Sequence, residues 1–152
     1  MITEWIDKLA AIWEISDGRG GTVRSYRVFE RAEFPEGAIQ IPGALTYPNG
    51  LQPKYGQGTP TILLWEGITE FHLVPNMQTE HIPYMVSFYQ RILAAALANM
   101  KLSNTVEYFI LPDQPRAIEM AEFLVGEGPA HRGLLVHWSV KENVSGDFTI
   151  TP

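Results

Sequence analysis

The sequence predicts an α+β fold: a mainly antiparallel sheet flanked by two main helices, with a protruding Pro/Gly-rich arm. Three observations carry this. Strong helical spacing of apolar residues occurs in two stretches, one near the start and one after Pro83. Most of the intervening and following segments are rich in β-branched and aromatic residues. The order is helix, strands, helix, strands, not the strict alternation of a parallel α/β sheet. With 152 residues, 45% of them hydrophobic and 18% charged, the chain reads as one domain over 1–152. Residues 47–60 read as a loop or arm that projects from it.

The elements follow in order. Ile2, Trp5, Ile6, Leu9, Ala10 and Trp13 make one helical face, with Glu4, Asp7, Lys8 and Glu14 opposite, so a helix is expected from Thr3 to Ser16. Thr3 suits its cap and Asp17-Gly18-Arg19-Gly20-Gly21 its exit. Thr22 to Phe34 reads as strand, and Gly37 to Ile41 as a second extended piece. Pro42, Pro48, Pro53 and Pro60 then exclude helix or interior strand. Thr61 to Val74 is the next strand region, with Gly67 marking a bulge or turn. After Pro83, the residues Met85, Phe88, Tyr89, Ile92, Leu93, Ala96 and Met100 form a helix face. Only Arg91 is charged between Pro83 and Met100, so this helix is expected to be covered on most sides, by the sheet or by a neighbouring subunit. Val106 to Leu111 is a strand ended by Pro112. Residues 115–125 suit either a helix or a hairpin strand, and strand is preferred, with Gly126-Glu127-Gly128 at the turn. Gly133 to Glu142 is the closing strand.

Composition excludes several functions. The chain has no cysteine, which removes disulfides, thiol nucleophiles and Cys-ligated metal. A formal charge of −6 disfavours phosphate-rich partners and anionic lipid. Met1-Ile2-Thr3-Glu4 carries acid where a secretory signal needs base, and the apolar run from Ile92 to Ala98 falls far short of the ~20 residues of a spanning helix. A cytoplasmic assembly is therefore expected.

Catalytic constellations are sparse. Asp17-Gly18-Arg19-Gly20-Gly21 follows a helix and lacks Gly-Lys-Ser/Thr, so it reads as a turn, and Tyr55-Gly56-Gln57-Gly58-Thr59 runs into Pro60 where a phosphate loop would open a helix. Glu70-x-His72 puts a carboxylate and an imidazole on one strand face, with Glu80-His81 nearby in sequence, but no third fixed ligand accompanies them. No metal, cofactor or catalytic residue is assigned. A polar pocket built on Glu70, His72 and His81 is the rival expectation. Glu30 with Glu33 and Glu119 with Glu122 read as surface acid, and no serine lies in a G-x-S-x-G elbow. Arg24, Arg27 and Arg31 do not share one strand face, so they are expected to pair with carboxylates and not to read nucleic acid.

The amphipathic first helix, the extended Ile39-Gln40-Ile41-Pro42-Gly43-Ala44-Leu45-Thr46-Tyr47-Pro48, the helix after Pro83, Val106-Glu107-Tyr108-Phe109-Ile110-Leu111-Pro112 and the closing Gly133-Leu134-Leu135-Val136-His137-Trp138-Ser139-Val140-Lys141-Glu142 together resemble the tail-terminator and neck (tail-completion) proteins of tailed bacteriophages. That resemblance implies a virion structural protein at the head–tail junction, assembled in the host cytoplasm. It implies a homohexameric ring that joins the tail tube protein to neck or connector proteins and lets DNA pass through its lumen. It assigns no residues. From the sequence itself, Tyr47, Leu51, Lys54 and Tyr55 on the arm and Arg91 on the central helix are the candidate interface residues, and the arm is expected to become ordered on a partner.

Overall fold

The computed structural model describes residues 2–34, 39–56, 59–75, 81–124 and 130–143. Helix α1 spans Ile2–Ile12 and buries Trp5, Ile6, Leu9 and Ala10, the face that the spacing marks. It ends earlier than expected. Beyond Trp13 the backbone serves another purpose: the Val23 amide donates to the Ile15 carbonyl, and Ser16 bridges Thr22. The turn between them is held by Asp17, whose Oδ1 accepts from the amides of Arg19 at 2.7 Å and Gly21 at 3.0 Å. Gly18 and Gly20 supply its positive φ angles of 76° and 89°.

Strand β1 is only Arg24–Arg27, and the expected strand to Phe34 stops there. Val28 joins Ile39 and Leu45 in a small apolar cluster with Tyr26, Phe34 and Tyr47, which draws the chain off the sheet edge into a 3-10 turn at Arg31–Glu33. Of the second expected extended piece, Gly37 to Ile41, residues 37–38 lie outside the described residues, and Ile39 to Ile41 are not strand, with a bend at Ile41 and Pro42.

Residues 47–56, expected as loop or arm, are strand. β2 runs Gly43–Gly56 and pairs antiparallel with β3, Thr59–Val74, from Gly43↔His72 to Gly56↔Thr59. Pro48 and Pro53 are tolerated because β1 covers only Gly43 to Thr46 of the outer side of β2, which leaves the rest an edge. Pairing between β3 and the last described strand, β6 (His131–Asn143), runs from Val74↔Arg132 to Ile62↔Asn143. Gly67 marks a bulge from across the ladder, the extra residue being on β2 and not on its own strand. The register shift lies across from it, between Pro48 and Gly50. A Cβ on Gly67 would run into the ring of Trp138, its pairing partner on β6.

Helix α2 spans Ile82–Ala98, and β4 (Tyr108–Ile110) and β5 (Ile118–Phe123) both pair with β6, at different levels of the same edge. The preferred strand reading of 118–123 is the observed one; its expected turn lies outside the described residues. The sheet order is β1-β2-β3-β6-β4 with β5 beside β6, parallel only at β1–β2, curled into a half-barrel.

Strand alternation gives the sheet two unlike faces. Phe71 and Leu73 of β3 and Leu134, Val136, Trp138 and Val140 of β6 point inward, where α1 and α2 cover them. Trp5 packs edge-on to Trp65 and Trp138 with centroids 5.8 and 5.9 Å apart, and Trp13 does the same to Phe71 and Phe109 at 5.6 and 5.9 Å. Edge-to-face pairs of this kind add about 0.5–1.5 kcal/mol each beyond the area they bury. Helix α2 contributes Met85, Phe88, Ile92 and Ala96 to this core. Leu93 and Met100, assigned to the same face from spacing, are exposed together with Val86 and Leu97. The sheet meets one side of α2 and leaves a second apolar stripe uncovered.

Candidate functional site

On the outer face, β3 carries the two residues that the spacing singles out. Glu70 and His72 are both buried, and His72 Nε2 lies 2.9 Å from Glu70 Oε1. The structure adds three partners. Tyr47 of β2 donates its hydroxyl to Glu70 Oε2 at 2.5 Å, and Arg31 Nε donates to the same oxygen at 3.1 Å. His131, at the start of β6, places Nδ1 2.9 Å from His72 Nδ1. Phe123 of β5 stacks on His72 with centroids 4.3 Å apart.

The tautomers follow from donor logic. An ionised carboxylate only accepts, so His72 Nε2 carries hydrogen toward Glu70, and a single hydrogen joins the Nδ1 atoms of His72 and His131. Burial pushes the Glu70 carboxyl up. Hydrogen bonds from His72 and Tyr47, with the Arg31 charge, outweigh that and hold it below the ordinary 4.5. Burial, and then the His72 charge, push His131 below its usual value, and burial with the Glu70 hydrogen bond pushes the Tyr47 phenol up. The series Glu70–His72–His131 is thus a hydrogen-bonded chain from carboxylate to imidazole.

Sequence reasoning found Glu70 and His72 because positions i and i+2 share a strand face. His81 stands at the N-cap of α2, and none of the network's hydrogen bonds includes it. His131 was missed: it lies 59 positions from His72, and only strand pairing brings them together. Arg31 and Tyr47 were noted for other roles. Among the described residues no three His, Cys, Asp or Glu side chains are grouped to hold a metal ion.

The five candidate interface residues separate. Tyr47 turns toward Glu70. Leu51, Lys54 and Tyr55 are exposed on the arm, Tyr55 at 67%. Arg91 is folded back on its own helix: it donates to Ser87 Oγ at 2.9 Å and lies over the Phe88 ring at 4.3 Å. The uncovered stripe of α2 was signalled by its lack of charge, but spacing could not say which apolar residues would stay outside. Leu97, 64% exposed, is the most open of them. Beside it Leu93, Ala96, Met100, Phe109, Ile110 and Leu111 line an apolar cavity of about 130 Å³.

The arginines find local acceptors. Arg27 pairs with Asp7 at 2.7 Å and Arg31 with Glu70, as expected, while Arg24 donates to Gln40 Oε1 at 2.8 Å. Glu119 and Glu122 belong to opposite faces of β5: one lies 3.8 Å from His137, the other 3.1 Å from Arg132. No helix is long and apolar enough to cross a membrane among the described residues. No protein-family model matches the chain, and no curated protein matches its sequence.

Proposed function

We propose that this chain is a virion structural protein of a tailed bacteriophage. It forms a closed homo-oligomeric ring, six-fold, at the head–tail joint, and joins the tail tube to neck or connector proteins while DNA passes through. The observation that carries the reading is the exposed apolar surface of Leu93 and Leu97 on α2 and of Met100 just beyond it, which shares a groove with Ile110 of β4. Contiguous apolar surface of this kind marks a protein interface. The resemblance in element order gives the reading its place in the virion. A net charge of −6 per copy suits a lumen through which DNA must move without sticking. Imaging of particles assembled with and without the chain tests it. Ring density at the joint, absent from particles that lack the chain, is the expected result; a monomer, a dimer or a scattered decoration refutes it.

A small enzyme or ligand-binding domain is the second reading. The series Glu70–His72–His131 favours it, because a carboxylate that orients an imidazole is the arrangement of a general base. Against it, both oxygens of Glu70 are occupied and His72 is fully buried, which leaves His131 as the group able to act. A His131→Gln chain that assembles into working particles eliminates this reading.

A further inference from the structure

We propose that copies of this chain join head to tail, with the β2–β3 arm of one copy seated in the α2–β4 groove of the next. The inference rests on the ring reading and names the surfaces that would build it.

The sheet places the two surfaces on opposite edges at one level. Leu51 of β2 pairs with Trp65, Trp65 with Val140, and Val140 with Phe109 of β4, so a single row crosses four strands. Three strand spacings separate its ends by about 14 Å. One end carries the arm, with Leu51 and Tyr55 exposed. The other carries the groove between β4 and the last turns of α2. Two different surfaces on opposite edges allow each copy to engage the next heterologously, and such a contact makes a ring where the rotation closes.

Size and charge agree. The groove, about 130 Å³ lined by aliphatic and aromatic side chains, is smaller than the ~150 Å³ void that holds a benzene ring, so it seats part of a partner's exposed Tyr55 ring and leaves the hydroxyl outside. Copies that each carry −6 repel, so contact requires surfaces without acid. The residues of the arm from Leu51 to Tyr55 include one charge, Lys54, and those lining the groove include none. Glu107 is already paired with Lys141 at 3.4 Å, whereas Asp113 is exposed in the neighbouring pocket that shares Ile110 with the groove and offers Lys54 a carboxylate. Strand addition along the β2 edge is the competing mode. Pro48 and Pro53 lie on that edge without an N–H to give, which disfavours it.

The chain has no cysteine, so paired cysteines report the contact cleanly. A Tyr55→Cys chain mixed with a Leu97→Cys chain under mild oxidation should give a mixed disulfide dimer, neither chain alone should cross-link, and a chain carrying both changes should form a ladder. Homodimers from Tyr55→Cys alone would mean edge-to-edge pairing and overturn the proposal. So would the absence of any cross-link at the highest concentration attainable, which would leave the groove to another protein.

Leu97→Glu and Lys54→Glu should each weaken self-association about tenfold or more in sedimentation. Lys54→Glu with Asp113→Lys should restore it. Both positions are exposed, and circular dichroism with thermal unfolding checks that each variant is folded; folded variants that associate like the wild type overturn the proposal. The two readings fail separately. Rings at the joint without the Tyr55–Leu97 cross-link sink this contact alone, whereas a ladder from chains absent from the joint sinks the virion role alone.

Discussion

Glu70 stays ionised beneath three donors, and His131 stays neutral beside His72, so both groups make stability depend on pH in the same direction. His131 binds its proton less readily folded than unfolded; as pH falls through its ordinary 6.5, the unfolded chain takes up a proton that the folded one refuses. Glu70 adds a second loss as pH falls from its ordinary 4.5 toward its lowered folded value. The melting temperature should therefore be flat in mildly alkaline buffer and fall in two stages on acidification. His131→Gln should remove the first stage. Glu70→Gln should remove the second, at the cost of a weaker fold at neutral pH. A profile unchanged by either substitution would mean that these groups are not the ones titrating. Half of this network was legible in the sequence. Glu70 and His72 declare themselves by alternation, whereas His131 and Arg31 arrive through sheet pairing and a 3-10 turn that no local pattern encodes.

Two elements carry constraints that single substitutions expose. Gly67 lies under the Trp138 ring, which crosses β3 where a side chain would stand. Gly67→Ala must displace a buried tryptophan and should cost about 2–4 kcal/mol, read as a lowered denaturant midpoint with an unchanged slope. At the exit of α2, Leu102, Ser103 and Asn104 hold successive φ angles of 44°, 57° and 64°. Left-handed backbone is unfavourable for residues with a Cβ, so Ser103→Gly should stabilise by up to about 1 kcal/mol, less the extra freedom it gives the unfolded chain. Equal or lower stability would mean that Ser103 is not strained there. The start of α1, the helix after Pro83 and the closing strand were legible because their periodicity extends over many residues. The strand from Tyr47 to Gly56 was not. Its prolines rule out an interior strand, and nothing local shows that only one side of β2 has a neighbour at those positions. The shortened β1 has the same cause: Val28 and Phe34 are fit for a strand but pack in a separate cluster over the outer face.

At the scale of the whole molecule, the balance is between apolar surface and like charge. Each copy carries −6, while the proposed contact is apolar with one lysine. Added salt should therefore strengthen self-association, because screening removes repulsion between copies while it weakens a single ion pair. Sedimentation across a salt series checks this; association that weakens steadily with salt would mean that ion pairs dominate the contact. The fold class was legible from element order alone. The uncovered side of α2 was not, because a sequence poor in charge does not say whether a helix is covered by its own sheet or by a neighbour.

Strand β6 comes last among the described strands yet lies inside the sheet, with β3 on one side and β4 and β5 on the other. Its pairing Ile62↔Asn143 joins residues 81 positions apart in the chain. During synthesis, β3 therefore emerges with one side unpaired, and β4 and β5 have no sheet to join until the ribosome delivers Gly133 to Glu142. Closure of the sheet is a late event dominated by long-range pairing, which makes folding slow for a chain of this length. In that interval the β2–β3 hairpin is the part most able to pair with another nascent chain. Pro48 and Pro53 on its outer edge then act as guards against aggregation before the chain has any partner to assemble with.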